Sequence, residues 1–257
     1  MNEKNPSDLL FERYLASQGI KFEYEPELVG TSNRIDYVVQ HQQGSLYFEV
    51  KQIEVPLPQG RFFQWDPYPP IRSHIRDGAK QFKGLPNTIN ALVFAAGQNS
   101  FVDLMAPTTI LGAMYGDFAF RVPVDLGSGI PEDAEITTGF IPGKGKMVQK
   151  HQIRNTRISA IVSLHNYYTF PKEAALYLKT DDGRIREERE ADLWSGRAGI
   201  TEELTPCVTV WENAYARRKL PRDIFRGPMD AWWTAEDNSQ SLSFIGEKRR
   251  HLKIDER

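Results

Sequence analysis

Asp36 and the tripeptide Glu49-Val50-Lys51 are the residues of this chain whose types and placement suit chemistry. They fall in two adjacent strand-like segments, 34–40 and 45–52, separated by the polar turn 41–44. Side chains alternate faces along a strand, so Leu46, Phe48 and Val50 share one face while Tyr47, Glu49 and Lys51 share the other. In the partner segment Ile35, Tyr37 and Val39 are expected to pack inward, which turns Asp36 the opposite way. A hairpin of this kind brings two carboxylates and an ammonium onto one surface. Hard cations such as Mg²⁺ take oxygen ligands, commonly one or two carboxylates with water and substrate phosphate. The surface therefore suits Mg²⁺ or Mn²⁺ held beside a phosphodiester. The ion would acidify its water and offset charge in the transition state. Lys51 would orient that water or stabilise the developing anion. Val50 would bury its side chain and offer its carbonyl as a further ligand.

A structural reading of the same residues exists. Cross-strand Glu–Lys pairs are common on solvated sheet faces and contribute only ~0.2–1 kcal/mol each. Asp is depleted in strands, however, and an Asp amid Ile, Tyr and Val is a local conflict expected at functional sites.

The elements that must position these groups can be read on either side. Asn5-Pro6 is a helix start, with Asn as N-cap, Pro at the first helical position and Asp8 in the first turn. Leu9, Leu10, Tyr14 and Leu15 give a buried stripe, and Gly19 a stop. Glu12 lies at the stripe's edge, either leaning over the strands towards a metal-bound water or solvated near Arg13. Residues 21–26 alternate polar and aromatic and read as a first strand. Residues 55–70 are rich in Pro and aromatics and form a loop, in which Arg61, Phe62, Phe63 and Trp65 pack onto the domain or stack on bases. Residues 71–83 have helical spacing, with Ile71, Ile75, Ala79 and Phe82 on one face. Arg72, Arg76, Lys80 and Lys83 make its other faces basic, as a phosphate-binding or simply solvated surface. Residues 88–96 are a nearly continuous apolar run, as in a strand buried on both faces.

This order and these residues are similar to the PD-(D/E)XK nuclease superfamily, with Asp36, Glu49 and Lys51 at its motif positions and Glu12 as the helix acid often seen there. Ile35 stands where the name-giving Pro would be. The resemblance implies an α/β fold with a restriction-endonuclease-like core, an α-β-β-β-α-β mixed sheet flanked by helices. That core would span residues 1–105, and residues 106–257 would extend the same body with further strands and helices. It implies DNA as substrate, with RNA not excluded, and Asp36, Glu49 and Val50 as metal ligands. Lys80-Gln81 resembles a pair that several families place near the metal, so either side chain would contact the scissile phosphate. The ending, 213–233, resembles the C-terminal segment of bacterial nuclease-like proteins of this type.

The second half is less legible. Residues 107–115 read as a short helix, and 118–123, 158–164, 174–179 and 208–213 as strands. Residues 127–150 lack periodicity; their Gly143-Lys144-Gly145-Lys146 does not fit a Walker phosphate loop, and no Ser or Thr follows the lysine. Lys144, Lys146, Lys150, His151, Arg154 and Arg157 form a basic cluster, either a cationic wall to the site or a solvated loop. Residues 184–192 are charge-rich, and the final Ser-, Lys- and Arg-rich residues are expected to fray.

Across all 257 residues, 32 Lys and Arg against 34 Asp and Glu leave a net charge of −2, so no global basic field announces nucleic acid. A local basic channel is sufficient for phosphate binding. The single cysteine, Cys207, rules out an intrachain disulfide and fits a reducing cytoplasm, and the five His provide no zinc-ligand spacing. No apolar signal region or membrane-length run is present, so no membrane association is expected. A homodimer would serve the cutting of both strands. A nuclease-fold module that binds nucleic acid or assembles without cleaving is the alternative, and a structural or small-ligand protein a third.

Overall fold

The computed structural model describes residues 4–28, 34–55, 66–85, 87–98, 100, 102–121, 137–141, 144–149, 152–169, 185, 188–189, 203–238 and 241–248. The aromatic loop residues Arg61, Phe62, Phe63 and Trp65, the strand expected at 174–179, and Lys150 and His151 lie outside them.

Helix α1 spans Pro6–Ser17 and begins as its sequence dictates. Asn5 accepts the Asp8 amide at 2.9 Å while Asp8 accepts the Asn5 amide at 3.2 Å, a reciprocal cap that satisfies two orphan donors. Its buried face differs from the expected stripe. Phe11, Tyr14 and Leu15 are fully buried with Ser7 and Asp8, whereas Leu9 is 49% exposed. The helix is followed by β1 (Glu23–Tyr24), shorter than the strand read at 21–26, then β2 (Tyr37–His41) and β3 (Gly44–Ile53). Next come α2 (Tyr68–Gln81) and β4 (Ile89–Ala96).

The later elements are α3 (Pro107–Tyr115), β5 (Asp117–Arg121), β6 (Thr137–Ile141), β7 (Val148–Gln149) and β8 (Gln152–Ile153). They close with β9 (Ile158–Thr169), β10 (Glu203–Glu212), β11 (Ala231–Asn238) and β12 (Ser241–Lys248). Of these, β6, β7, β8, β11 and β12 were not anticipated from sequence; β6 and β7 fall in the stretch 127–150 read as aperiodic.

The architecture is α/β: an eight-stranded mixed sheet in the order β1-β2-β3-β4-β9-β10-β11-β12. β2 and β3 form an antiparallel hairpin, and β3, β4 and β9 run parallel. A parallel neighbour requires a crossover, and α2 supplies the one between β3 and β4. Alternation along the strands divides the core in two. Leu46, Phe48, Val50, Ala91, Val93 and Ala95 face α1 and its Phe11, Tyr14 and Leu15. Ile53, Leu92 and Phe94 face α2 and α3, meeting Ile71, Ile75, Phe82 and Ile110. Gly78 lets α2 approach closely, because a Cβ there would meet Leu92 Cδ2 at 2.2 Å. Among the described residues no helix is long and apolar enough to cross a membrane.

Candidate functional site

The β2–β3 ladder ends at the Tyr37–Phe48 pair, so Asp36 and the Glu49-Val50-Lys51 stretch lie beyond it, where the two strands no longer pair. Here the chain departs from a regular strand. Asp36 occupies a bend just before β2, and Ile35 packs into the α2-side cluster while Tyr37 and Val39 pack on the α1 side. The expectation that Ile35 shares a face with Tyr37 and Val39 is thus corrected. A bend, unlike a strand, lets Asp36 swing its carboxylate across the edge, where Oδ2 accepts the Val50 amide at 2.7 Å. Val50 itself buries its side chain against the α1 layer.

Glu49 is 1% exposed. The Lys51 ammonium bonds to its Oε1. Its Oε2 makes no well-formed hydrogen bond. Burial raises the Glu49 pKa, and Lys51, the Gln81 side chain and the Asp36 amide act against it. Burial also raises Asp36, to about 7, with the neighbouring Glu49 charge adding to the effect and the Val50 hydrogen bond opposing it. The Glu49 charge therefore reaches Asp36, and both carboxylates are held where their charged forms are disfavoured.

The α1 acids divide differently from expectation. Glu12 is tied up: Lys4 bonds its Oε1, and the Tyr37 hydroxyl donates to the same oxygen at 3.1 Å. Asp8, read from sequence only as a first-turn residue, is buried and acts electrostatically on Asp36; its own pKa is raised by burial and Glu12, with the Asn5 amide and Lys51 pulling it down. The signal that marks it is helical spacing, since Asp8, Phe11 and Leu15 recur on one buried face.

His74 was also missed. It sits on α2 with its ring centroid 6.3 Å from that of Phe94, and burial with the Lys51 charge holds its pKa below the usual imidazole value. Residues 74 and 81 share one flank of a helix at 100° per residue, so His74 and Gln81 both border the β3 side. Lys80 does not join them; it is exposed and bonds Asp77 at 2.9 Å.

Arg72 and Arg76 project from the opposite flank of α2. With Lys144 and Lys146 they line a cleft of about 510 Å³ that also includes Asp66 and Ser73. Arg154 is exposed and turns instead to Gln152, at 2.7 Å. The basic residues named from sequence are therefore not one surface.

Among the described residues no three His, Cys, Asp or Glu side chains are grouped to hold a metal ion. Mg²⁺ needs only one or two protein carboxylates, and buried Glu49, whose Oε2 makes no well-formed hydrogen bond, beside half-buried Asp36 fits such an ion. Asp36, Glu49 and the Val50 carbonyl are the groups that would hold it.

No family model matches the chain, and no curated protein matches it. Among solved structures, SfsA of Pyrococcus furiosus in complex with Ca²⁺ matches at 19% identity, covering 37% of this chain and 40% of that chain, with a TM-score of 0.21. A likeness this slight carries no argument.

Proposed function

We propose that this chain is a metal-dependent nuclease hydrolysing phosphodiester bonds, with DNA as the favoured substrate. The observation that carries the reading is the meeting of Asp36, Glu49 and Lys51 at the open end of the β2–β3 ladder, where Glu49 Oε2 makes no well-formed hydrogen bond. The order α1-β1-β2-β3-α2-β4 supports a restriction-endonuclease-like core in residues 1–105 and hence the superfamily resemblance. When bound, Mg²⁺ or Mn²⁺ would acidify a water and offset charge on the phosphoryl oxygens. Asp36 and Glu49 supply the oxygen ligands. Lys51, held by Glu49, positions its ammonium for the attacking water or the anion that develops. Gln81 and His74 border the same side and exclude bulk solvent from it. A cytoplasmic setting and a homodimer for double-strand cutting belong to the same reading.

A non-cleaving nucleic-acid-binding or assembly module is the second reading, favoured by the direct Lys51–Glu49 contact, which fills one oxygen with the chain's own cation. Incubating plasmid and linear DNA with the protein, with and without Mg²⁺ or Mn²⁺, separates the two. Metal-dependent cutting that drops by about 10²-fold or more in Glu49→Gln supports hydrolysis. Equal cutting in wild type and variant, or none in either, removes it.

A further inference from the structure

We propose that the cleft between α2 and the 144–149 segment binds a backbone phosphate of a nucleic-acid strand, anchoring it on the flank of α2 turned away from Asp36 and Glu49. This rests on the nucleic-acid partner proposed above, but not on hydrolysis.

The anchor is built around Arg72. Its side chain is 8% exposed, and Nη2 donates to the Gly112 carbonyl at 2.9 Å and to Asp117 Oδ1 at 2.7 Å. The guanidinium carbon lies 4.6 Å from the Tyr68 ring centroid, so the plane of the group is fixed from a third side. Its Nε is buried and makes no hydrogen bond. A buried donor without an acceptor costs on the order of 1–3 kcal/mol, and such groups call for an explanation when a native fold keeps them. Arg72 nevertheless lines the cleft, where its braced guanidinium holds a fixed positive charge.

The rest of the cleft has the matching charge. Arg76, Lys144 and Lys146 line it with Arg72, against the single lining carboxylate Asp66. Asp117 pairs with Arg72 and with Lys144 at 3.4 Å, and Asp77 lies 3.3 Å from Arg76. Counting all three acids, the balance remains positive. Rigid guanidinium forks combined with mobile ammonium groups suit phosphate oxygens without reading base sequence. A helix is about 10–12 Å across with its side chains, so α2 keeps this phosphate apart from one at the carboxylates. The cleft holds the strand; it does not act on it.

The test is binding without turnover. Fluorescence anisotropy of labelled single-stranded and duplex oligonucleotides is measured in EDTA across a salt series, for wild type, Glu49→Gln and the double variant Arg76→Ala/Lys146→Ala. Thermal melts verify that each variant folds. The double variant is expected to bind about 10-fold more weakly, with the slope of log affinity against log salt shallower by about one per lost phosphate contact. Arg76→Lys/Lys146→Arg recovers most of the loss. An unchanged affinity and salt slope in the double variant overturns the proposal. So does capture of inorganic phosphate, measured calorimetrically, with no oligonucleotide binding. Loss of cutting in Glu49→Gln with binding intact bears only on hydrolysis, so the two readings fail separately.

Discussion

The backbone amide of Val50 donates to Asp36 Oδ2 across 2.7 Å, in the stretch where the β2–β3 ladder has already ended. A side chain thereby takes a bond that a neighbouring strand would otherwise supply. The acid is fixed beside Glu49 by backbone geometry alone, before any ligand arrives.

Asp36 works against the fold at neutral pH. Its pKa is raised from 3.8 to about 7, so the folded chain keeps a proton that the unfolded chain releases. The associated stability is present below the ordinary carboxylate pKa and is lost as pH rises from about 4 through about 7. Asn at position 36 retains an oxygen for the Val50 amide and carries no charge at any pH. In EDTA, Asp36→Asn is expected to melt close to wild type at pH 4 and roughly 3–8 °C higher at pH 8. A wild type at least as stable at pH 8 would contradict this.

Of the α1 acids, Asp8 is expected to matter to the centre and Glu12 not. Asp8 acts on Asp36, whereas Glu12 spends its oxygen on Lys4 and Tyr37. In a metal-dependent cleavage assay, Asp8→Asn, which still caps the Asn5 amide, should lower the rate about 10-fold or more. Glu12→Gln should remain near wild type. The reverse ranking would return Glu12 to the site.

Gly78 sets the distance between α2 and the sheet. Its added methyl would meet Leu92 Cδ2 at 2.2 Å, and Leu92 is fully buried, so that side chain must shift within the packed core. Gly78→Ala should cost about 1–3 kcal/mol in urea unfolding. Leu92→Ala in the same chain should relieve part of that cost, giving a non-additive double-mutant cycle. Simple additivity would mean the helix shifts without resistance.

Asp230 fastens the C-terminal region to α1. It accepts the Tyr14 hydroxyl at 2.6 Å, the Gly227 amide at 2.6 Å and the Val208 amide at 3.0 Å, all buried. Tyr14→Phe removes one bond to a charged acceptor and should lower unfolding free energy by about 1.5–3 kcal/mol. An unaltered midpoint would show that the remaining two bonds suffice.

Much of the first half was legible because its signals are local. The Asn5-Pro6 cap, the turn at 41–44 and the period-2 run in β3 each depend on neighbours within a few residues, and α3 matches the helix read at 107–115. The buried face of α1 was misread because Leu9 and Leu10 outweigh Phe11 in a simple count, although Phe11 is the one aligned with Tyr14 and Leu15. Ile35 was misassigned because alternation was extended through a bend. β11 escaped because its pairing is distant: Trp232 meets Val210 in parallel, a partnership that no local period encodes. The cleft at Arg72 joins segments equally far apart, so its basic residues could be named from the chain but not sorted onto two flanks of one helix.

β4 lies between β3 and β9, and every residue from Ile89 to Ala95 is buried. The seam that joins the two halves of the sequence is thus the greasiest strip in the molecule. Trimming the chain after residue 105 would lay bare a rim of open amides beside a row of oily side chains, a template for stacking one molecule on another. Such a fragment should come out of solution as aggregate, so binding and cleavage tests belong on the whole 257-residue chain.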